Sequence, residues 1–429
     1  MKRLQGHTDS YYAASANVAP SFPQLTGAVS VDICVVGAGY TGLSTALHLA
    51  ERGYKVAVVE AQQVGWGASG RNGGHVGVGQ RRSQADLEKM LGKAMANTLW
   101  QFSVEAVQLV EHLIKKHSIR CDLKRGIMHL AAKPSHDNHL RSDVDLLQER
   151  YGYTRIRYAN AQEVRALIGS KRYLGGQLDC GSLHLHPLNY ALGLARACAA
   201  NGVDLYEHSR VLRYRGGSPC EVETVNGRVR ARNIVLACNG YLGKLEPRLA
   251  GRIMPINNFI LATEPLPVSL GKALITNDYA VQDTLFVINY WKLSGDNRLI
   301  FGGGENYTTQ FPKDISGFVR KYMLRVYPQL ANIRIDYAWG GTLAITLNRL
   351  PNLGRLAPNV FYSQGYSGHG VPTATFAGKL LADVIAGTEE HFDILASLPA
   401  HSFPGGTLLR WPCLVLGMLY HSLLDRFGR

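Results

Sequence analysis

Residues 31–60 read VDICVVGAGYTGLSTALHLAERGYKVAVVE, and much of the fold follows from them. The first part, Val31–Val36, is a β-branched run typical of a strand buried on both faces of a parallel sheet. The GxGxxG spacing follows in Gly37, Gly39 and Gly42. These glycines allow a tight turn, the approach of a pyrophosphate and close packing of a helix on the sheet, respectively. Apolar residues then recur at helical spacing, so the first part of this stretch predicts a strand, a turn and a helix in that order.

The second strand of this unit, Lys55–Val59, ends at Glu60, which lies 18 residues after Gly42. A carboxylate at this place accepts hydrogen bonds from ribose hydroxyls. It also argues against a 2′-phosphate and hence against NADP, whereas NAD and FAD both stay open. A GxGxxG on its own is weak evidence, because an ordinary βαβ turn can contain the same glycines. Here all the parts occur in order, which predicts a dinucleotide site.

The next segment, GWGASGRNGGHVGVG (65–79), has seven glycines among its fifteen residues. Glycines here would let backbone N–H groups close on a ligand phosphate or on the edge of a flavin. Ser69 and Arg71 could donate hydrogen bonds to the same ligand. The alternative is a flexible surface loop. An NAD-binding domain has no evident need for this segment, so it favours FAD.

A third glycine-rich segment, VFYSQGYSGHGVPTATFAGKLLADVIAG (360–387), points the same way. It predicts a strand, a loop and a helix that is entered near Pro372. The unpaired N–H groups and positive dipole end of such a helix would stabilise negative charge on a reduced flavin. We find no role for this helix end in an NAD enzyme.

Strand patterns also lie between these segments. A strand that passes Val211 is followed by EVETVNGRVRARNIVL (221–236), in which Asn226-Gly227 predicts a type I′ hairpin turn. The run NIVLACNGY (233–241) then predicts a buried strand. The sequence therefore indicates an α/β protein with a Rossmann-like nucleotide-binding domain built from separated segments.

Composition limits the function classes. The length of 429 residues suggests two or three domains. The net charge is +14, but the basic residues are spread along the chain, so we expect no nucleic-acid partner. The seven cysteines form no CxxC pair, so we expect no metal site and no disulfide framework. The start, MKRLQGHTDS, has no apolar segment, and we expect a cytoplasmic protein without a secretory signal.

Longer segments of the chain resemble a known family. They are SYYAASAN (10–17), VVGAGYTGLSTALHLAERGYKVAVVEA (35–61), GWGASGRNGG (65–74), HPLNYALGLA (186–195), FGGGE (301–305), GYSGHGV (365–371) and FPGG (403–406). They are similar to the D-amino-acid-oxidase-like family of FAD-dependent oxidoreductases, which includes glycine and sarcosine oxidases. Within this family, the resemblance is strongest to gamma-glutamylputrescine oxidases and their relatives.

The resemblance implies two domains. An FAD-binding domain would consist of residues 1–84, 151–245 and 346–429. A substrate domain with a mixed antiparallel sheet, residues 85–150 and 246–345, would be inserted into it. The strand patterns of the inserted part agree with this division, including a hairpin turn at Asp296-Asn297.

The motifs and the resemblance together name the residues that we expect to contact FAD. Val211 and Ala237 would lie near the adenine, and 368–370 near the isoalloxazine ring. The full set is Gly37, Gly39, Tyr40, Thr41, Gly42, Glu60, Ala61, Gly67, Ala68, Ser69, Arg71, Asn72, Gly73, Gly74, Val211, Ala237, Asn239, Gly240, Gly368, His369 and Gly370.

Departures from the family pattern bear on the substrate and the cofactor. Relatives often have glutamine where this chain has His75, and several have an acidic residue where it offers Thr346 and Asn348. No cysteine lies between Cys238 and Cys413, the region in which sarcosine oxidase relatives tether their flavin. We therefore expect FAD without a covalent link, with a histidyl link through His75 as the alternative.

The resemblance implies oxidation of a C–N bond in a small-molecule amine, either gamma-glutamylputrescine or a related polyamine or amino-acid derivative. The amine would transfer the equivalent of a hydride to the flavin and so become an imine. The imine would then hydrolyse to an aldehyde or a keto acid. Oxygen, giving hydrogen peroxide, or another acceptor would then take the electrons. The protein would supply positioning, a dry pocket and electrostatics.

Candidate catalytic residues come from the segments predicted to face the flavin. His369 would bond either the flavin ring or only the backbone. Tyr366 and Tyr290 could form an aromatic wall that attracts a charged amine. Because neighbours in a strand point to opposite faces, Tyr290 and Trp291 cannot both belong to that wall. His75 completes the set.

Two further features each allow two interpretations. Lys292 could assist oxygen reduction by its charge, although a solvated strand lysine is the simpler interpretation. The segment TLLRWPCLVLGMLYHSLLDRFGR (407–429) predicts a helix that either packs on the protein or makes peripheral contact with an anionic membrane. In the second case the protein would be a membrane-associated FAD amino-acid dehydrogenase that passes electrons to a quinone. A flavoprotein that acts on RNA and a non-catalytic nucleotide-sensing module are two more hypotheses that the sequence leaves open.

Overall fold

The computed structural model describes residues 6–306, 310–410 and 412. The helices are α1 (Tyr11–Ala14), α2 (Tyr40–Ala50), α3 (Gln84–Leu91), α4 (Lys93–Lys116), α5 (Pro134–Glu149), α6 (Ala161–Ile168), α7 (Pro187–Ala200), α8 (Pro247–Ala250), α9 (Val268–Leu274), α10 (Ile315–Val326), α11 (Gly370–Ile385) and α12 (Glu390–Ala396). The strands are β1 (Gly27–Ser30), β2 (Ile33–Val36), β3 (Val56–Val59), β4 (His75–Val76), β5 (Lys124–Leu130), β6 (Ile156–Asn160), β7 (Gly175–His184), β8 (Asp204–Tyr206), β9 (Val211–Arg215), β10 (Cys220–Thr224), β11 (Gly227–Ala231), β12 (Asn233–Leu236), β13 (Met254–Thr263), β14 (Ala280–Asp283), β15 (Tyr290–Leu293), β16 (Leu299–Asn306), β17 (Ile335–Ile345), β18 (Asn352–Ala357) and β19 (Val360–Gln364).

Residues 31–60 form the centre of a six-stranded sheet, whose order is β18-β19-β12-β2-β3-β8. Every residue of β2 and β3 is buried, as expected for β-branched strands covered on both faces. The strands from β19 to β8 run parallel, whereas β18 is antiparallel to β19. Helices α2 and α11 pack against each other beside this sheet. The predicted α/β nucleotide-binding fold is confirmed.

A smaller sheet of four strands, β1-β11-β10-β9, contains the predicted hairpin. The type I′ turn predicted at Asn226-Gly227 is wrong, because neither residue has the positive φ that this turn requires. Instead Thr224 bridges the turn: its Oγ1 donates to the Gly227 carbonyl at 2.9 Å and accepts from the Gly227 N–H at 3.0 Å. A side chain thus replaces the left-handed backbone turn.

The third sheet is larger and mixed. Its order is β17-β13-β16-β15-β14-β5-β7-β4, and β6 also pairs with β7. Only the β5–β14 pair among these described strands is parallel. One face packs on α10 around a core that includes Phe259, Trp291 and Phe301. The predicted hairpin at Asp296-Asn297 joins β15 to β16.

The predicted domain division places residues 151–245 with the nucleotide-binding part. In the structure, β6 and β7 (156–184) belong to the nine-stranded sheet, and so does β4. The chain therefore crosses between the two large sheets more often than expected. The division into two domains stays a prediction, and we propose it with residues 156–184 moved to the substrate domain.

The C-terminal part of the fold is described only up to residue 412. Helix α11 begins at Gly370, two residues before the predicted entry at Pro372. Most of the 407–429 segment, on which the membrane hypothesis depends, lies outside the described residues. In the described ranges, no helix combines the length and the apolar character that a bilayer crossing requires.

Candidate active site

The glycine motif forms a turn with no room for side chains. Gly37 has φ +107°, and a Cβ atom on it would lie 2.8 Å from the carbonyl oxygen of Ala237. A Cβ on Gly42 would lie 1.9 Å from the carbonyl oxygen of Gly37. Gly39 is the N-cap of α2 and offers no side-chain cap. Strand, turn and helix therefore pack as closely as the motif predicts, and the first turn of α2 keeps N–H groups for a ligand.

The glycine-rich loop after β3 folds over the start of α2. The Tyr40 N–H donates to Ser69 Oγ at 3.1 Å, and the Tyr40 hydroxyl donates to the Ser69 carbonyl at 2.6 Å. Asn72 Nδ2 donates to the Ala68 carbonyl at 3.0 Å. These bonds hold the loop on the helix end, which argues against a flexible surface loop.

Glu60 ends β3 beside the same turn. Its carboxylate accepts from the Ala38 N–H at 2.8 Å and from the Gln62 N–H at 2.9 Å. Burial raises the pKa of this carboxyl group above its usual value, and the backbone N–H groups of Ala38, Gln62 and Ala61 oppose that rise. Each oxygen keeps a second lone pair for a ribose hydroxyl, because an ionised carboxylate accepts about four hydrogen bonds.

A cavity of about 1260 Å³ opens at the start of α2 and continues along one face of the nine-stranded sheet. Sites for a single ligand have volumes of roughly 300–1,000 Å³. This cavity is larger than that range, so it has room for a second molecule beside a dinucleotide. The predicted residues that line it are Gly39, Tyr40, Thr41, Ala68, Ser69, Arg71, Asn72, Gly73, His75, Ala237, Asn239, Tyr290, Tyr366, Gly368, His369 and Gly370.

Eight of the predicted residues are not on its wall: Gly37, Gly42, Glu60, Ala61, Gly67, Gly74, Val211 and Gly240. Gly37 and Gly42 act through the packing of the turn. Val211 begins β9 in the four-stranded sheet, outside the cavity. The cofactor contacts of these residues stay predictions.

Helix α11 also begins at this cavity. The loop that leads into this helix turns sharply, with left-handed φ values of +53° at Ser367 and +89° at Gly368. His369 is the N-cap, and its side chain makes no capping hydrogen bond. Because the first N–H groups of a helix lack partners within the helix, α2 and α11 both direct donors and positive dipole ends into the cavity. Two such ends at one cavity favour an anionic ligand.

The two candidate histidines are half-buried and uncharged at neutral pH. His369 Nε2 lies 2.9 Å from the Gly77 carbonyl, and His75 Nε2 lies 3.1 Å from the Val281 carbonyl. Since a carbonyl only accepts, each Nε2 carries the proton. Burial lowers the pKa of both rings to about 4. Of the two roles considered for His369, the structure contains the hydrogen bond to the backbone.

The two candidate tyrosines both reach the cavity. The Tyr366 hydroxyl lies 2.5 Å from Thr41 Oγ1 and 2.8 Å from Ser363 Oγ, which joins the β19–α11 loop to α2. The Tyr290 hydroxyl donates to Asn258. Trp291 points to the opposite face of the sheet and stacks on Phe301. Strand alternation therefore places Tyr290 on the wall and excludes Trp291, as expected.

Arg71 is a buried cation on the cavity wall, with 8% of its surface exposed. Its Nε donates to the Trp66 carbonyl at 2.8 Å, and its Nη1 donates to the Gly340 carbonyl at 3.1 Å. No carboxylate of the described chain lies within ion-pair distance of it. A buried charge needs a compensating partner, so Arg71 fits an anionic ligand.

The interpretation of Lys292 as a solvated lysine is wrong. The residue is 3% exposed, and its Nζ donates to the Leu185 carbonyl. It lies behind the 73–75 segment, where a Cβ on Gly74 would be 2.9 Å from Nζ. Burial lowers the pKa of the ammonium group to about 8.

The far end of the cavity is lined by side chains that sequence reasoning missed. Alternation within strands was the available signal: Ile127 and His129 in β5, and Gln177 and Asp179 in β7, share a face. The predicted domain division places residues 175–184 in the FAD-binding domain, so it does not pair them with β5. We call this region the distal end; its polar residues include Arg81, His129, His136, Asp143, Gln177 and Asp179.

We call the opposite region the cofactor end; it comprises 39–41, 68–73 and 366–371. It fits a flavin dinucleotide, because a buried arginine meets two helix starts there, and the N-cap residue of neither helix makes a side-chain capping bond. We propose that α2 and Arg71 hold the diphosphate and that Glu60 holds the ribose. The start of α11 would face the pyrimidine edge of the flavin ring, where charge develops on reduction.

Comparison with known proteins agrees with this geometry. A family model described as FAD dependent oxidoreductase matches residues 32–384. The chain is 42% identical to gamma-glutamylputrescine oxidoreductase of Escherichia coli (strain K12) over 423 residues, which are 98% of this chain and 99% of that protein.

Solved structures share the fold. Glycine oxidase from Geobacillus kaustophilus is similar with a TM-score of 0.70 and 21% identity, over 83% of this chain and 95% of that one. L-proline dehydrogenase from P. horikoshii is similar with a TM-score of 0.68 and 19% identity, over 85% and 94%. The resemblance stated from the sequence and the expected cofactor are both confirmed. The chain belongs to the family of FAD-dependent oxidoreductases, and it is an enzyme whose cofactor is FAD.

Proposed function

We propose that the enzyme oxidises the primary amine of a gamma-glutamylated polyamine, gamma-glutamylputrescine or a close relative. The observation that carries this proposal is the cavity, which continues from the cofactor end to a charged and polar distal end. A long substrate with a polar group at each terminus fills such a cavity, whereas glycine would leave the distal end empty. The 42% identity to gamma-glutamylputrescine oxidoreductase supports the same substrate class.

FAD, when bound, accepts a hydride equivalent from the carbon beside the amine nitrogen. The chain's own part is to hold the amine in a water-poor, aromatic and uncharged place. The rings of Tyr290 and Tyr366 line that place and attract an arriving ammonium through their faces. His75 and His369, with pKa values of about 4, add no positive charge that would repel it.

The oxidised substrate is an imine, and we propose that water converts it to an aldehyde and ammonia. We also propose that oxygen takes the two electrons and, with two protons, becomes hydrogen peroxide. The buried Lys292 supports this choice of acceptor, because a cation in a low-dielectric environment stabilises the anion that oxygen forms on accepting an electron.

The substrate proposal is tested by anaerobic bleaching of the flavin absorbance. Purified enzyme is mixed with gamma-glutamylputrescine, putrescine, glycine or sarcosine, and the rate of bleaching is followed. We expect gamma-glutamylputrescine to be the best reductant. If only the simple amino acids bleach the flavin, the substrate proposal is wrong.

The acceptor is tested in air. Hydrogen peroxide should form in proportion to the amine consumed, and Lys292→Met should slow reoxidation by oxygen far more than it slows anaerobic reduction. Lys272→Met, on the exposed side of α9, is the matched control. A wild-type enzyme that forms no peroxide uses another acceptor.

Two further points concern how FAD is attached to the protein and where in the cell the enzyme is located. We propose FAD bound without a covalent link, since Nε2 of His75 is already bonded to the Val281 carbonyl. The cytoplasmic location stays a prediction. Nothing in the described part of the chain favours the membrane-associated dehydrogenase, and we do not propose it.

A further inference from the structure

The distal end is built where helix α5 covers one face of the nine-stranded sheet. Leu140 and Asp143 reach it from the helix, and Gln177 and Asp179 reach it from β7. These four residues are brought together by the pairing of α5 with β7, since the two elements pack directly on each other. The result is a polar patch inside the cavity.

Asp143 carries an unused acceptor in this patch. Its Oδ2 accepts from Gln177 Nε2 at 3.1 Å, and the same nitrogen donates to the Leu140 carbonyl at 2.9 Å. Its Oδ1 is buried and has no hydrogen-bond partner. A buried carboxylate oxygen without a donor is costly, so this atom marks a place where a donor is missing.

Two other carboxylates on the cavity wall have their hydrogen-bond donors. Asp179 accepts from the Tyr153 hydroxyl at 2.6 Å and from the Gly181 N–H at 2.8 Å. Asp283 accepts from Asn289 through both its backbone and side-chain nitrogens. Asp143 therefore differs from these two carboxylates in having a buried oxygen without a hydrogen-bond donor.

Two arginines add positive charge to the cavity wall. Arg81 and Arg82 line the same cavity. The charge of Arg81 lowers the pKa of both His129, at the distal end, and His369, at the cofactor end, after the larger effect of burial. A ligand that extends along the cavity therefore meets both a carboxylate, Asp143, and guanidinium groups on the same wall. An α-amino acid group carries the two opposite charges.

We propose that Asp143, positioned by Gln177, binds the α-ammonium of the substrate's gamma-glutamyl group and so selects gamma-glutamylated amines over amines that lack this group. The inference rests on the proposed function and adds to it the residue that binds the end of the substrate far from the oxidised amine. Burial and the nearby Asp86 raise the pKa of Asp143, and an ammonium beside its carboxylate would favour the ionised form.

The test compares two substrates on three proteins. The substrates are gamma-glutamylputrescine and N-glutarylputrescine, which differs from it only by lacking the α-amino group. The proteins are the wild type, Asp143→Asn and Asp145→Asn, the last an exposed carboxylate on the same helix that serves as control. Initial rates of flavin-dependent amine oxidation give kcat and KM for each pair.

We expect the wild type and Asp145→Asn to prefer gamma-glutamylputrescine. In Asp143→Asn, the KM for this substrate should rise about 10- to 100-fold with kcat nearly unchanged. Its kinetics with N-glutarylputrescine should match the wild type, which also shows that the variant is folded.

Two results would overturn the inference while leaving the proposed function in place. One is a wild type that oxidises both compounds equally well; the other is an Asp143→Asn variant that loses activity on both to the same extent. A wild type that oxidises neither compound but does oxidise a simple amine would overturn the proposed function, and the inference with it.

Discussion

The two ends of the cavity are built by different means. At the cofactor end the polar groups are largely backbone N–H groups at the starts of α2 and α11, and glycines bring them close to the ligand. At the distal end the polar groups are side chains from α5, β5 and β7. The cofactor end is therefore encoded in short continuous motifs, whereas the distal end depends on how distant segments pair. If this contrast is right, substitutions at the cofactor end should act first through the backbone and only then through side chains.

The cofactor end should no longer form or bind FAD when a side chain is placed in its glycine turn. Gly42→Val places a side chain where a Cβ atom alone would lie 1.9 Å from the Gly37 carbonyl oxygen. Overpacking of this kind costs about 3 kcal/mol or more, a large part of the roughly 5–15 kcal/mol by which proteins are stable. We expect no soluble yellow protein, measured as flavin absorbance per milligram. Gly251→Ala, whose Cβ would meet its nearest neighbour at 3.7 Å, is the control and should be yellow.

The half-buried histidines His75 and His369 should make stability depend on pH. The pKa of His369 is about 4 in the folded protein against 6.5 in its ordinary state. Between these values the unfolded chain binds more protons, so the stability that is fully present above pH 6.5 is lost as the pH falls toward 4. His369→Gln should remove about 3 kcal/mol of this loss, measured by urea unfolding across that range.

The control for this prediction is His401→Gln, at an exposed position. It should leave the pH profile of stability unchanged. His75 has a similarly lowered pKa, so some pH dependence should persist in His369→Gln. An unaltered profile in His369→Gln would mean that this ring titrates alike in the folded and unfolded states.

Arg71 tests whether charge adds to the backbone groups at the cofactor end. Arg71→Met removes a buried guanidinium, and a charged hydrogen bond contributes about 1.5–3 kcal/mol. We expect FAD to bind about 10- to 100-fold more weakly, measured by fluorescence of released flavin on dilution. The thermal stability of the apoprotein is the necessary comparison. If the apoprotein and the holoenzyme are destabilised equally, Arg71 serves the fold and not the cofactor.

Tyr366→Phe should have the mildest effect of these variants. It removes the hydroxyl that joins Thr41 on α2 to the loop before α11. The expected loss is about 1 kcal/mol of unfolding free energy, measured by denaturant titration of the holoenzyme, with the flavin spectrum retained. A loss of FAD in this variant would show that the link between the two helix ends, and not only the ends themselves, holds the cofactor.

Most of the cofactor end could be predicted because its residues are close together in sequence and determine local structure there. Gly37, Gly39 and Gly42 read directly as a turn and a helix start, and the Val360–Gly387 pattern predicted a strand, loop and helix close to those observed. The errors arose where side chains override local rules. Thr224 bridges a turn that the Asn226-Gly227 pair alone would have made left-handed, and Lys292 is buried although lysine is ordinarily solvated.

Local patterns in the chain were enough to predict the dinucleotide fold and to favour FAD, because periodicity and glycine spacing depend on residues that are neighbours in sequence. The family was identified from the resemblance of longer segments. The three-dimensional structure was needed to show which strands share the nine-stranded sheet and hence which side chains form the distal end. Asp143 and Gln177 are 34 positions apart, and no local pattern marks either of them. Their meeting follows from the packing of α5 on β7, where strand register and helix orientation fix which face each side chain joins.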